Sequence, residues 1–199
     1  MPDAVVSRFV ILGWARSGTT ALVSYLDGHP QIACYHEVFN DRHLVEPALA
    51  PVELVNHVFS TGVLIHDLGG PAESSGQPAP VLNRPHGGQC LSVGFKLLVN
   101  QAYALPAVCR EIARQPDIGV ILMHRTNALR KLVSLRLAMR TGQWSSRSTA
   151  TSEATVRISI RELIRSSESD ETIRHHVRNF VEVAGNPTFE LTYEQLMMH

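Results

Sequence analysis

The sequence is poor in most of the features that place a chain in a specialised class. Its three cysteines, Cys34, Cys90 and Cys109, are an odd number at wide spacing with no CxxC pair. That argues against a disulfide framework or a zinc site and fits reduced thiols of a cytoplasmic protein. No apolar run approaches the roughly 20 residues that span a bilayer. The opening MPDAVVSRFV lacks the basic region, apolar stretch and cleavage site of a signal peptide. Charge of one sign is not in excess either, since 18 Lys and Arg balance 18 Asp and Glu. Such a balance speaks against coating nucleic acid or an anionic membrane through bulk charge, though not against a local basic site. Histidines are present, but none shows the H-x-x-x-H or H-E-x-x-H spacing of a metal site. Internal repeats are absent.

What remains is an ordinary globular composition over 199 residues, a length that buries one good core, so a single domain over 1–199 is expected. Arg8–Leu12 reads as a short buried strand and Thr19–Leu26 as a helix that ends near Gly28. Leu91–Leu98 and Ile118–His124 are further strand candidates, the second introduced by the turn RQPD. After it, Leu129, Leu132, Val133, Leu137 and Met139 recur close to helical spacing and stop at Gly142. Thr188–Tyr193 alternates like a late strand, and the segment ESDETIRHHVRNFVEVAG before it is a charged amphipathic helix that packs on the sheet. Strands alternating with helices predict an α/β fold, a central parallel sheet flanked by helices. Two stretches break this rhythm: 68–88, rich in Gly, Pro and Ser, and the serine-rich 144–154. Both read as flexible insertions over a site.

The site itself is signalled by Gly13-x-x-x-x-Gly18-Thr19-Thr20 between the first strand and the first helix. That is the spacing and the context of a phosphate-binding loop, in which backbone N–H groups and a helix N-terminus surround an anion. The lysine of nucleotide-hydrolysing loops is replaced by Thr19, and the cation stands earlier, as Arg16. Thr20 fills the metal-holding hydroxyl position, but the strand ILMH ends in His124 where an aspartate would complete a magnesium site. The loop is therefore expected to grip phosphate without a metal. The plain alternative is a glycine turn that binds nothing.

The stretch GWARSGTTALVSYLDGHP resembles the 5′-phosphosulfate loop of the sulfotransferase family, where [KR]-S-G-T-T follows the first strand. HRTNALRKLVS supplies Arg125 at a strand end and Ser134 nine residues on, similar to the arginine and serine that bind the donor's 3′-phosphate in that family. LTYEQL, with Tyr193, is similar to the family's Y-E-D-L segment near the adenine. The resemblance spans Phe9 to Leu196, in family order. It implies a P-loop type of fold and 3′-phosphoadenosine 5′-phosphosulfate as donor. Arg16, Ser17, Gly18, Thr19, Thr20, Arg125, Ser134 and Tyr193 would bind that donor, and no metal would be needed. From Ile121 to Trp144 the chain has no Asp or Glu. There, Arg130, Lys131, Arg136 and Arg140 read as a solvated helix face, whereas Arg125 sits where open α/β sheets hold their ligands.

For chemistry, the resemblance points to Lys96, on a strand with apolar neighbours, as the cation beside the sulfuryl group; the alternative is a lysine that snorkels to solvent. Glu37, shortly after L-D-G-H-P, matches the glutamate that takes the acceptor's proton in bacterial and tyrosyl-protein sulfotransferases. His36 is its rival. Arg16 would stabilise charge on the leaving phosphate. The acceptor implied is a hydroxyl of a carbohydrate, lipid or secondary metabolite, either a small molecule or a glycan. Two other functions are weighed against this one, a small-molecule P-loop kinase and a truncated, non-catalytic nucleotide-binding module. Many family members continue past the Y-E-D-L segment into a basic loop over the adenosine, which this chain lacks after Tyr193. A compact version of the fold, closure by a partner chain such as a second copy in a homo-oligomer, and a shortened chain are the three explanations.

Overall fold

The computed structural model describes residues 6–39, 50–61, 90–144 and 154–198. The two expected insertions, 68–88 and 144–154, lie outside the described residues apart from Trp144 and Ala154.

Five strands, β1 (Ser7–Gly13), β2 (Ile32–Glu37), β3 (Ser92–Leu98), β4 (Ile118–His124) and β5 (Thr188–Thr192), form one sheet in the order β2-β3-β1-β4-β5. Every pairing is parallel, so the α/β expectation holds. The connecting helices are α1 (Thr19–Asp27), α2 (Pro51–Thr61), α3 (Val99–Ala104), α4 (Pro106–Ala113), α5 (Ala128–Thr141), α6 (Ile160–Ala184) and the short α7 (Tyr193–Leu196). None among the described residues is long and apolar enough to cross a membrane.

Successive side chains of a strand point to opposite faces, and the core divides accordingly. Val10, Leu12, Val93, Phe95, Val120 and Leu122 meet α2, α4 and α6 through Val55, Val58, Val108, Ile112, Val177 and Val181. Phe95 is fully buried between Phe39 and Phe59, with ring centroids at 5.8 and 5.3 Å. On the other face Ile11, Cys34 and Met123 meet Leu22 and Val23 of α1, with Tyr193 and Leu196 of α7 packed against them. Burial drives the Cys34 thiol's pKa well above its ordinary value, which leaves it an inert core residue.

Sequence periodicity missed β2, because a run of six residues with a histidine and a glutamate at its end carries little apolar signal. It missed the short α3 and α4 for the same reason, passed over the 11-residue α2, and found only the later part of the 25-residue α6. Gly28 does cap α1, but in the right-handed region at φ −70°.

A parallel sheet brings all strand carboxyl ends to one edge. From β1 the chain crosses towards β2 on one side of the sheet, and from β4 towards β5 on the other. The turns after β1 and β4 therefore diverge next to each other, and such a switch point is where open α/β sheets form a crevice.

Candidate functional site

The turn after β1 is compact because its glycines allow close approach. A Cβ on Gly13 would lie 2.7 Å from the Met123 carbonyl oxygen and 2.5 Å from Thr19 Cγ2. Ser17 is fully buried, and both its hydroxyl (2.7 Å) and its N–H (3.2 Å) donate to the Trp14 carbonyl. Its side chain thus closes the loop from within and does not face the crevice; the buried Thr19 side chain likewise packs inward. Gly18 (φ 90°) and Arg16 (φ 65°) are both left-handed, and among the described residues Arg16 is the one non-glycine there. An L-residue in that region costs roughly 1–2 kcal/mol. In that conformation the Arg16 guanidinium reaches α5, donating through Nε to Ser134 Oγ at 2.8 Å and through a terminal nitrogen to the Trp144 carbonyl at 2.5 Å. These partners are neutral. Burial first, and the nearby charge of Arg125 second, push the Arg16 guanidinium's pKa down. Gly18 precedes α1 as its N-cap and offers no side-chain cap, so the first N–H groups of the helix have no side-chain acceptor there.

Beside the loop stands a second group of charges. Lys96, its side chain 4% exposed, does not snorkel: its ammonium lies 2.7 Å from Glu37 Oε1 and donates to Thr20 Oγ1 at 3.2 Å. Strict alternation would send Glu37 to the same face as Tyr35, into the larger core. A register shift between Tyr35 and Glu37 instead sets Glu37 opposite Lys96, with His36 in the irregularity. Bulges of this kind re-aim side chains next to active sites. From α3, Gln101 Nε2 donates to Glu37 Oε2 at 3.4 Å. Lys96, Glu37 and Thr20 come from three different elements and meet at the mouth of the loop.

The turn after β4 supplies Arg125. Its guanidinium carbon stands 4.2 Å from the Tyr193 ring centroid, a cation–π stack, and its Nε is 4.0 Å from Glu194 Oε1. Glu194 binds the turn's backbone, accepting from the Thr126 and Asn127 N–H groups at 3.0 Å each. Burial raises the Glu194 carboxyl's pKa, but these amide bonds outweigh it and hold the group at about 2.

Among the described residues, three buried side-chain nitrogens have no hydrogen-bond partner: Trp14 Nε1, His124 Nδ1 and Arg125 Nε. Buried polar atoms are nearly always satisfied, and all three of these belong to residues at the carboxyl ends of β1 and β4. His124 Nδ1 lies 3.5 Å from Glu190, and burial, then Arg174, lowers the ring's pKa. No group of three or more His, Cys, Asp and Glu that could hold a metal occurs among the described residues.

The sequence pairs Ser134 with Arg125; in the structure its hydroxyl partner is Arg16, and the two arginines converge from the two turns. Tyr193 lies under Arg125 and against the loop, since a Cβ on Gly18 would sit 2.5 Å from its Cδ2. One expectation is corrected. Lys131 is not on a solvated face: it is buried, paired with Asp170 at 2.6 Å and 5.7 Å from the Trp14 ring centroid. Helix α6 covers this side of α5, which the helical period of α5 alone does not reveal. Sequence reasoning also passed over Gln101, which carries no motif signal, and Glu194, which stood inside the quoted LTYEQL.

No protein-family model and no curated protein sequence matches this chain. Its class therefore rests on the architecture and the candidate site, an α/β protein with a five-stranded parallel sheet and with Arg16 and Arg125 on the turns that diverge from its neighbouring strands β1 and β4.

Proposed function

We propose that this chain is a cytoplasmic sulfotransferase of P-loop type that uses 3′-phosphoadenosine 5′-phosphosulfate and a hydroxyl acceptor. The observation that carries the reading is the convergence of Lys96, Glu37 and Thr20 beside a loop whose own cation is Arg16. The residues present fit an anionic donor. Arg16 lies close enough to Arg125 to feel its charge, Arg125 Nε makes no hydrogen bond, and α1 has no side-chain cap. The donor supplies the sulfuryl group, and 3′-phosphoadenosine 5′-phosphate leaves when its sulfur–oxygen bond to the 5′-phosphate breaks.

The chain's residues have separable tasks. The α1 amides and Arg16 hold the 5′-phosphate and stabilise charge that builds on the bridging oxygen. Lys96 moves from Glu37 towards the sulfuryl oxygens, and that exchange frees the carboxylate. Glu37 then takes the proton of the acceptor hydroxyl as its oxygen bonds to sulfur. Arg125 binds the 3′-phosphate, and Ser134, whose hydroxyl meets Arg16 at 2.8 Å, is the second candidate for it. Tyr193 keeps the adenine end near the same turn. The three reduced cysteines support the cytoplasmic assignment.

The test is transfer of radiolabelled sulfate from the donor to a panel of hydroxyl compounds, run beside magnesium-dependent ATP turnover. Label transfer supports the reading. ATP turnover without it makes the protein a kinase, and tight binding of 3′-phosphoadenosine 5′-phosphate with neither activity makes it a non-catalytic binding module.

A further inference from the structure

The first two residues of α7 join the two turns of the crevice. Tyr193 puts its ring edge against Gly18 of the first turn and its face under Arg125 of the second. Glu194 takes the N–H groups of Thr126 and Asn127, where α5 begins. It also accepts from the Thr126 side chain, and it approaches Arg125 Nε at 4.0 Å, too long for a hydrogen bond, so that nitrogen is left unpartnered. The carboxylate therefore holds the backbone that carries Arg125 without consuming the guanidinium's donors. Of the N–H groups at the start of α5 it takes only that of Asn127, the residue before the helix, while α1 begins without any side-chain cap. The helix α5 is capped a second time by the Asn127 side chain, which accepts from the Arg130 N–H at 2.9 Å. Of the two helix N-termini beside the site, α5 has a carboxylate on the turn before it and a side-chain cap, and α1 has neither.

We infer that Glu194 is a positioning residue: it fixes the turn after β4 so that the Arg125 guanidinium, stacked on Tyr193, faces a bound 3′-phosphate with its donors free. The choice of a 3′-phosphorylated ligand then rests on a residue that does not touch it. By occupying the Thr126 and Asn127 amides ahead of α5, Glu194 also withdraws two backbone donors of that turn from any anion, which leaves Arg125 to read the 3′-phosphate. This inference rests on the sulfotransferase reading for the identity of the ligand, but not for the existence of the staple.

The experiment has two arms on the full chain. In the first, amide hydrogen exchange at Thr126 and Asn127 and the Arg125 Nε–H signal are followed by NMR in the wild type and in Glu194→Gln. Loss of amide protection and broadening of the Arg125 signal, with the fold otherwise unchanged, are expected. Unchanged protection overturns the staple whatever the ligand. In the second arm, calorimetry compares 3′-phosphoadenosine 5′-phosphate with adenosine 5′-phosphate. Glu194→Gln and Arg125→Ala should each weaken the first ligand about ten-fold, as for one charge-assisted bond, and the second hardly at all. The double variant should be no weaker than Arg125→Ala alone, whereas Glu194→Gln with Arg16→Ala should add. Additive losses with Arg125 overturn the positioning role. A wild type that does not distinguish the nucleotides removes the sulfotransferase reading and with it the selectivity role, while the NMR arm still decides whether the staple exists.

Discussion

Arg16 is held in a backbone region that glycine would occupy at no cost, and its guanidinium is partly desolvated beside another cation. Strain of that kind persists where the surroundings over-determine it, commonly at ligand sites. If the arginine is there for the ligand, Arg16→Gly should melt no lower than the wild type and still lose transfer by at least ~100-fold, the scale of one transition-state charge stabiliser. Equal losses of melting temperature and turnover would assign Arg16 to the fold instead. Glu37 and His36 are adjacent in sequence, yet only Glu37 faces Lys96 at 2.7 Å. Glu37→Gln should bind the donor normally and transfer sulfate roughly 100-fold more slowly, the usual contribution of a positioned base. His36→Ala should be milder. The reverse ranking, read from single-turnover rates, hands the proton to the histidine.

Among the elements, β5 and α7 depend on contacts made far away in sequence. Asn186, buried just before β5, donates its side-chain amide to the carbonyls of Gln115 at 3.0 Å and Ile118 at 3.1 Å, with Ile112 at 3.4 Å. One amide thus ties the end of α4 and the start of β4 to β5. Asn186→Ala leaves those carbonyls buried without it and should cost about 1–3 kcal/mol in urea unfolding, with an unchanged denaturant slope. At the other end of β5, the Glu194 carboxyl is held at about 2 in the fold against an ordinary value of 4.5. A depressed carboxyl stabilises the fold fully above its unfolded value and loses that contribution as pH falls through its folded one. The stability gap between wild type and Glu194→Gln should therefore be constant from neutrality to about pH 5. It should shrink as pH drops from there towards 2, measured by denaturant midpoints at each pH. A gap independent of pH would show that the carboxylate's charge is not what holds the turn.

At the scale of the molecule, a ligand that bridges the turns after β1 and β4 binds only the folded chain and stabilises it by mass action. At a hundred times its dissociation constant, 3′-phosphoadenosine 5′-phosphate should add about 2.7 kcal/mol, or roughly 5–10 °C in melting temperature for a domain of this size. ATP and NAD at the same concentration should move it much less; a larger shift with ATP and magnesium would favour the kinase.

The amino-acid sequence by itself determined the local parts of this protein. Strands with strong apolar runs (Phe9–Leu12, Ile118–Met123), the helix that stops at Gly142 and the glycine spacing of the first turn depend on neighbours within a few residues, so periodicity and turn chemistry expose them. Arg16 stood out by its place in the glycine turn and Arg125 by its place at a strand end, whereas Lys96 and Glu37 were pointed to only by the resemblance to sulfotransferases. Only the tertiary structure decided who meets whom. Strict alternation would turn Glu37 into the core, and a register shift set by pairing with β3 turns it towards Lys96. Ser134 joins Arg16 across 118 positions of sequence, and Lys131 leaves the solvent because α6 packs over it. Such contacts arise when a sheet aligns strands distant in the chain, and the energy that selects them is burial shared by all the elements at once. No window of residues contains that information, which is why the candidate residues could be named one by one and their contacts could not.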